Sequence, residues 1–332
     1  MLGISRIRTE KGFRYQYAGG KPIRRTSSSG RKLLDWIESL AIPPSWERVK
    51  ISVKKQAKVL AHGRDTRGKK QYRYNKRFSA RKQREKYDRI VSFAENLSKL
   101  RRITAKHLEA DSLRREKVLA CMVRMMELAH FRPGNEQYTK QNETYGLTTL
   151  RSKHLSVEGG ELTFRYVGKS GKFQQRRVES ERLAQVVQDL DDQPGYRIFK
   201  YYEGSTKRYV NSRDLNEYIC HAMGEHYSAK DFRTWAGTYL AASFLNQMQS
   251  TKDPKEQARC IVKAVKKVAA ELGNTPAVAR ANYIDPKIIR HFKEGTRIAD
   301  IVGKKGFASF RADHAELNMS EAGVLYMLKH SD

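Results

Sequence analysis

Residues 272–283 read LGNTPAVARANY, a heavily punctuated stretch that ends on a tyrosine. Gly273 has the character of a helix end, Thr275 and Pro276 that of a new start, and Tyr283 follows about two turns later. A tyrosine in that place ordinarily packs its ring. Its phenol can also attack a phosphodiester and hold a strand end as a phosphoester, because a phenolate leaves more readily than an alkoxide. Without a metal, such chemistry needs donors on the nonbridging oxygens and an acid for the departing oxygen. Arginine suits the first role through its planar fork, and lysine suits the second when neighbouring cations lower its pKa.

Other chemistries find no support in the pattern. GKSGK invites a phosphate-loop reading, but that loop requires G-x-x-x-x-G-K-[ST], and Thr163 stands five before Gly168. Asp189 and Asp191 lie in QDLDDQPG beside a Pro-Gly turn, with no further carboxylates to complete a metal site. His221 and His226 are five apart, a spacing that does not stack on one helical face. Cys121, Cys220 and Cys260 have no C-x-x-C spacing and sit in apolar helical patterns, so they are expected as reduced core residues. No metal, nucleotide or other cofactor is expected.

Charge names the partner class. The 332 residues hold 66 Lys and Arg against 36 Asp and Glu, a net +30, which calls for a polyanion and points to nucleic acid. Residues 51–90 concentrate the excess, with 15 basic and 3 acidic residues. There GRDTRGKKQYRY alternates Tyr72 and Tyr74 with Arg73, so both rings should share one strand face amid Arg64, Arg67, Lys69, Lys70 and Gln71. These residues are expected to bind nucleic acid. With no 18-residue apolar run and no signal-peptide core in residues 1–20, a cytoplasmic protein without membrane partners is expected.

The elements that must position such groups can be outlined. Turn-rich β patterns (FRYQY, KVLAHG, QYRY) fill the front of the chain, and SARKQREKYDRI reads as a basic linker entering a helix. The spacing predicts a helix over 113–131 that ends at Pro133-Gly134, with Arg132 in its terminal turn. KHLSV, ELTFRYV and KFQQRRV then predict a small antiparallel sheet that buries Leu162, Phe164 and Tyr166 and carries Lys169 at a hairpin tip. Helices dominate after DDQPG. KDFRTWAGTYLAA puts Phe232, Trp235, Ala236, Tyr239 and Leu240 on a core face and Lys230, Arg233 and Gly237 on another. The next helix is capped by Asp253-Pro254 and carries Ala258, Ile261, Val262, Val265, Val268, Ala269 and Leu272 as its stripe.

FRPGNEQY, QNETYGLTTLRSKHL, VGKSGK, KDFRTWAGTYLAA and LGNTPAVARANY, in this order, together with IPPSWERVKI and GRDTRGKKQYRY, resemble the type IB DNA topoisomerases in their compact bacterial and poxvirus-like form. The resemblance spans roughly residues 30–290. It implies an α+β fold: a β-rich basic DNA-binding domain over 1–84 and a mainly helical catalytic domain over 85–332, with an extension after 290, closing as a clamp on double-stranded DNA. It makes Tyr283 the nucleophile, gives Arg132 and Arg233 the scissile phosphate, and makes Lys169 the acid for the 5′ oxygen, with Lys230 assisting. Gln137 and Tyr138 are implied DNA contacts. Many members carry histidine where this chain has Asn274, and an amide can donate a hydrogen bond there but cannot act as cation or acid.

The activity implied is relaxation of supercoils by a monomer, without ATP or metal. Tyr283 is expected to be presented to a phosphate rather than buried. The rival is a tyrosine recombinase. Against it stand K-x-x-R at 230–233, where recombinases usually have H-x-x-R, the basic front domain with IPPSW, and the lack of an evident exchange helix; SEAGVLYMLKH is the one segment that could serve as such a helix.

Overall fold

The computed structural model describes residues 2–224, 227–249 and 251–330 and divides into two units, Met1–Tyr87 and Asp88–Asp332. His226 of the HAMGEH stretch lies outside the described residues.

The first unit is a five-stranded antiparallel sheet in the order β2-β1-β3-β4-β5, formed by β1 (Leu2–Thr9), β2 (Gly12–Tyr17), β3 (Glu47–Ser52), β4 (Val59–Arg64) and β5 (Lys70–Tyr74). Helix α1 (Ser28–Ser39) starts where the Ser27 hydroxyl accepts from Gly30 N–H. Its Leu34 and Ile37 join Ile4, Val49, Ile51 and Ala61 in one apolar core. Strands β1 and β3 and helix α1 are elements the sequence pattern did not mark. The basic linker expected at 79–90 is instead continuous helix, α2 (Lys76–Glu95), and the division between units falls inside it.

The second unit is built on α3 (Leu97–Leu108) and α4 (Arg115–Ala129). Helix α4 ends earlier than expected, because His130 takes a left-handed conformation and caps it. Arg132 therefore lies beyond the helix, in an extended segment anchored by Phe131, whose buried ring meets Phe164 edge-on at 5.3 Å. That segment is pinned against the turn at 146–149: Leu147 N–H donates to Arg132 C=O at 2.8 Å. The two glycines of the paired motifs permit this, since a Cβ on Gly146 would lie 2.6 Å from Gly134 Cα. Between them runs α5 (Glu136–Asn142), capped by Asn135.

A three-stranded antiparallel sheet follows as expected, β6 (Leu155–Glu158), β7 (Glu161–Val167) and β8 (Phe173–Glu179). Leu162, Phe164 and Tyr166 are buried, and Lys169 starts the short turn joining β7 to β8. After α6 (Glu181–Asp191) the chain does not turn purely helical: β9 (Lys200–Glu203) and β10 (Thr206–Tyr209) form a second hairpin before α7 (Ser212–Met223).

Helix α8 (Ala229–Asn246) is buried nearly all round from Asp231 to Thr238, so Arg233 and Gly237 are core positions; Tyr239 and Leu240, expected on the core face, are half-buried. In α9 (Pro254–Glu271), with Asp253 accepting from Lys255 N–H, the core face is Gln257, Ile261, Ala264, Val265, Val268 and Ala269. Ala258 and Val262 are exposed, because the face turns by one residue from the one read off the pattern. Cys121 is fully buried, and burial pushes its thiol up to about 12; Cys220 and Cys260 are only half-buried.

After α10 (Pro276–Asn282), helices α11 (Pro286–Lys293), α12 (Ile298–Val302), α13 (Phe307–Asp313) and α14 (Met319–Lys329) complete the unit. They are not an appendage. Helix α14 packs on α8, α12 and α13 and buries Ala322, Val324, Leu325, Met327 and Leu328. Arg101 of α3 clasps it, with Nη2 2.7 Å from Glu321 Oε1 and 2.5 Å from Glu127 Oε1. Glu321→Ala should cost about 3 kcal/mol, read as a shift in the urea unfolding midpoint, because it removes one partner of a desolvated charge. No described helix is long and apolar enough to cross a membrane.

Candidate active site

Three arginines and one asparagine converge on the end of α9 and the strap after it. Helix α9 stops at Leu272, and Gly273, at φ 62°, reverses the chain. Thr275 caps α10 by accepting from Val278 N–H, Pro276 occupies its first turn, and Tyr283 is its C-cap residue. The strap is pressed onto α8: a Cβ on Gly237 would sit 2.6 Å from Tyr283 C=O, and Thr238 Oγ1 donates to that carbonyl at 3.2 Å. Only glycine fits at 237, which is why Arg233 and Gly237, four apart on one helix face, meet the same tyrosine.

Tyr283 is 8 % exposed, so the expectation of an outward-presented residue is wrong. Its ring lies 5.3 Å from the Arg233 guanidinium carbon, and its hydroxyl oxygen accepts from Arg132 Nη1 at 3.3 Å. Burial by itself would raise the phenol's pKa, but Arg132 and Arg233 together outweigh it and leave Tyr283 below its ordinary value. Burial, then the neighbouring Arg132, pulls Arg233 down to about 10, which keeps it charged at neutral pH.

Arg233 is itself fixed by carbonyls: it donates to His130 C=O and, through Nη2, to Leu272 C=O at 2.6 Å. Arg132 Nη2 donates to Asn274 Oδ1 at 2.6 Å. That contact sets the amide's direction and leaves Asn274 Nδ2 buried without a partner among the described residues. An unsatisfied buried donor is costly, and one on an amide held by the Arg132 guanidinium suits an anionic oxygen. Asn274→Asp tests this: it keeps the acceptor for Arg132 and loses the N–H, and should slow strand cleavage about 10- to 100-fold in single-turnover assays.

Lys169 lies on the rim of a small cleft lined also by Arg132, Arg233, His130, Tyr166, Gln174, Arg176 and Gly273. The structure thus brings Arg132, Arg233, Asn274 and Tyr283 into contact and sets Lys169 on a cleft shared with Arg132 and Arg233. Lys230 is exposed one turn before Arg233 and does not line the cleft. Sequence reasoning missed Arg176, Gln174 and His130. Burial, then Arg176 and Arg233, pulls the His130 imidazole down to about 4. Among the described residues no group of three or more His, Cys, Asp or Glu could hold a metal ion.

In the first unit, Tyr72 and Tyr74 are 41 % and 45 % exposed and stack at 5.7 Å. Lys70 lies over Tyr72 at 5.5 Å, and Phe78 extends the row beyond Tyr74 at 5.8 Å. Arg67 and Lys69 are exposed in the adjoining turn. Three residues of the expected set also make contacts within the protein. Arg73 points to the opposite strand face, over Trp46, and donates to Ala41 C=O; Gln71 Nε2 donates to Asp65 Oδ2 at 2.7 Å; Arg64 Nη1 donates to Gly68 C=O at 2.7 Å. Gln137 and Tyr138 are exposed on α5 in the second unit.

The family described as eukaryotic DNA topoisomerase I, catalytic core, matches residues 75–318, and the bacterial DNA topoisomerase IB N-terminal domain matches residues 12–65. The chain belongs to the type IB DNA topoisomerases. Its relatives include the DNA topoisomerase 1B of Acanthamoeba polyphaga mimivirus, 30% identical over 292 residues, covering 86% of this chain and 85% of the relative. The DNA topoisomerase 1B of vaccinia virus (strain Copenhagen) is 26% identical over 256 residues, covering 76% and 78%. As a type IB topoisomerase the protein is an enzyme acting on DNA, and the recombinase reading is not favoured. The segment that could have supported that reading, SEAGVLYMLKH, is α14, spent on the chain's own core.

Proposed function

We propose that this topoisomerase relaxes duplex DNA through a 3′-phosphotyrosyl intermediate on Tyr283, working as a monomer in the cytoplasm without nucleotide or metal. The observation that carries this reading is a buried phenol whose pKa is lowered by Arg132 and Arg233, beside an unpartnered amide donor. Tyr283 Oη attacks the scissile phosphorus and loses its proton to water, and the bond to the 5′ oxygen breaks as Lys169 protonates that oxygen. Arg132, Arg233 and Asn274 Nδ2 hold the nonbridging oxygens as charge builds.

The 3′ phosphate stays on Tyr283 while the free 5′ end turns about the intact strand. The 5′ hydroxyl then attacks the phosphotyrosine, Lys169 takes its proton back, and the phenolate leaves. The phosphotyrosine conserves the bond energy, so torsional strain alone drives relaxation. Tyr72, Tyr74, Lys70, Lys69 and Arg67 form a basic aromatic face for duplex backbone, which predicts affinity that falls steeply with salt.

The test is relaxation of supercoiled plasmid in EDTA without ATP, followed by detergent trapping and protease digestion. Relaxation and a nucleotide-linked peptide containing Tyr283 are expected. Inactivity until metal or ATP is supplied, an adduct on another residue, or strand exchange that needs paired sites would each overturn the reading.

A further inference from the structure

We infer that Arg176 is a positioning residue that ties the hairpin bearing Lys169 to the strap bearing the nucleophile. The inference rests on the reading of Lys169 as the acid for the 5′ oxygen.

Arg176 sits on β8 opposite Phe164 of β7, in a strand that reads as alternating polar surface, yet it is 8 % exposed. A guanidinium so far from water needs partners, and Arg176 has them on both sides. One nitrogen, Nη1, donates to Glu271 C=O, in the last turn of α9. The other, Nη2, donates to Gln174 Oε1 at 2.8 Å. Gln174 in turn packs under the hairpin tip: a Cβ on Gly168, the residue before Lys169, would lie 2.8 Å from Gln174 Cγ. On the strap side the fit is as close, since a Cβ on Gly273 would meet Gln174 Oε1 at 2.1 Å and Arg176 Nη2 at 2.7 Å. One planar fork thus spans from the acid's hairpin to the helix end that precedes Asn274.

The consequences of losing it are lopsided. The strap keeps other holds: Arg233 on Leu272 C=O, Arg132 on Asn274 Oδ1, and Thr275 on α10. The hairpin loses the buried link that fixes Gln174 beneath its tip. Expulsion of the 5′ oxygen should therefore suffer while attack by Tyr283 does not, since displacing a catalytic group by about 1 Å can cost on the order of 100-fold. A lysine at 176 carries the charge but cannot reach both partners in the fork geometry.

A leaving group that needs no proton separates these effects. The probes are two duplex oligonucleotides carrying a cleavage site mapped with the wild-type protein, one with the natural 5′-bridging oxygen and one with sulfur. On oxygen, Arg176→Ala should cleave about 10- to 100-fold more slowly than wild type. On sulfur it should recover to within about 3-fold, because a thiolate departs unprotonated. Gln174→Ala and Arg176→Lys should show the same rescue with smaller losses, which guards against a misfolded alanine variant. Equal slowing on both probes, or none on oxygen, overturns the inference. Lys169→Ala runs alongside. If sulfur fails to rescue that variant, the reading of Lys169 as the acid falls and this inference with it; if sulfur rescues Lys169→Ala but not Arg176→Ala, only the inference falls.

Discussion

Tyr283→Phe is expected to bind supercoiled plasmid as tightly as the wild type and to relax none of it. The substitution removes one oxygen and leaves a ring that is 8 % exposed under the Arg233 guanidinium, so packing survives. The hydrogen bond from Arg132 Nη1, at 3.3 Å, goes with that oxygen, and the stability change should stay within about 1 kcal/mol. Losing a covalent nucleophile that acts as a unit with its neighbours costs at least about 10,000-fold. Plasmid relaxation, detergent-trapped adduct and filter binding measure turnover, covalent chemistry and affinity in turn. Residual relaxation above that limit would mean another residue carries the strand.

Arg132→Ala and Arg233→Ala should each slow cleavage by about 1,000-fold while changing DNA affinity by less than about 10-fold. Their structural costs should differ. Arg233 is buried and satisfies the carbonyls of His130 and Leu272, so its removal strands two acceptors in the core and should destabilise the fold by about 2–4 kcal/mol. Arg132 is half-buried and, among the described residues, its guanidinium holds only side chains, Asn274 and Tyr283, so its removal should cost about 1 kcal/mol or less. Single-turnover cleavage, filter binding and urea unfolding separate the two roles. Equal losses of affinity and cleavage in Arg132→Ala would move that arginine from the transition state to ground-state binding.

The parts of the site that could be read from sequence are those written as local punctuation. Gly273, Thr275-Pro276 and Asp253-Pro254 set helix ends through their own backbone preferences, and the Tyr72–Tyr74 pairing follows from strand alternation. What could not be read depends on partners distant in the chain. Arg176 looks like one more polar strand residue until the end of α9, 95 positions away, closes over it. Tyr283 is buried because Gly237, on another helix, lets the strap approach. Asn274 shows the limit most clearly: residue type excluded acid chemistry, but which end of the amide stays free is decided by Arg132. Strand β1 went unmarked because Ile4 and Ile7 fall on opposite strand faces and Arg6 and Arg8 follow on the face of Ile4, so no apolar alternation shows; pairing with β2 and β3 makes it a strand.

Helix α14 turns this architecture into a statement about independence between copies. The chain's last helix lies on its own α8, clasped by Arg101, and α8 supplies Arg233 to Tyr283 of the same chain. Every group of the proposed chemistry is therefore contributed in cis. A mixture of Tyr283→Phe and Arg132→Ala chains should stay as inactive as either alone, and the specific activity of the wild type should not change on dilution.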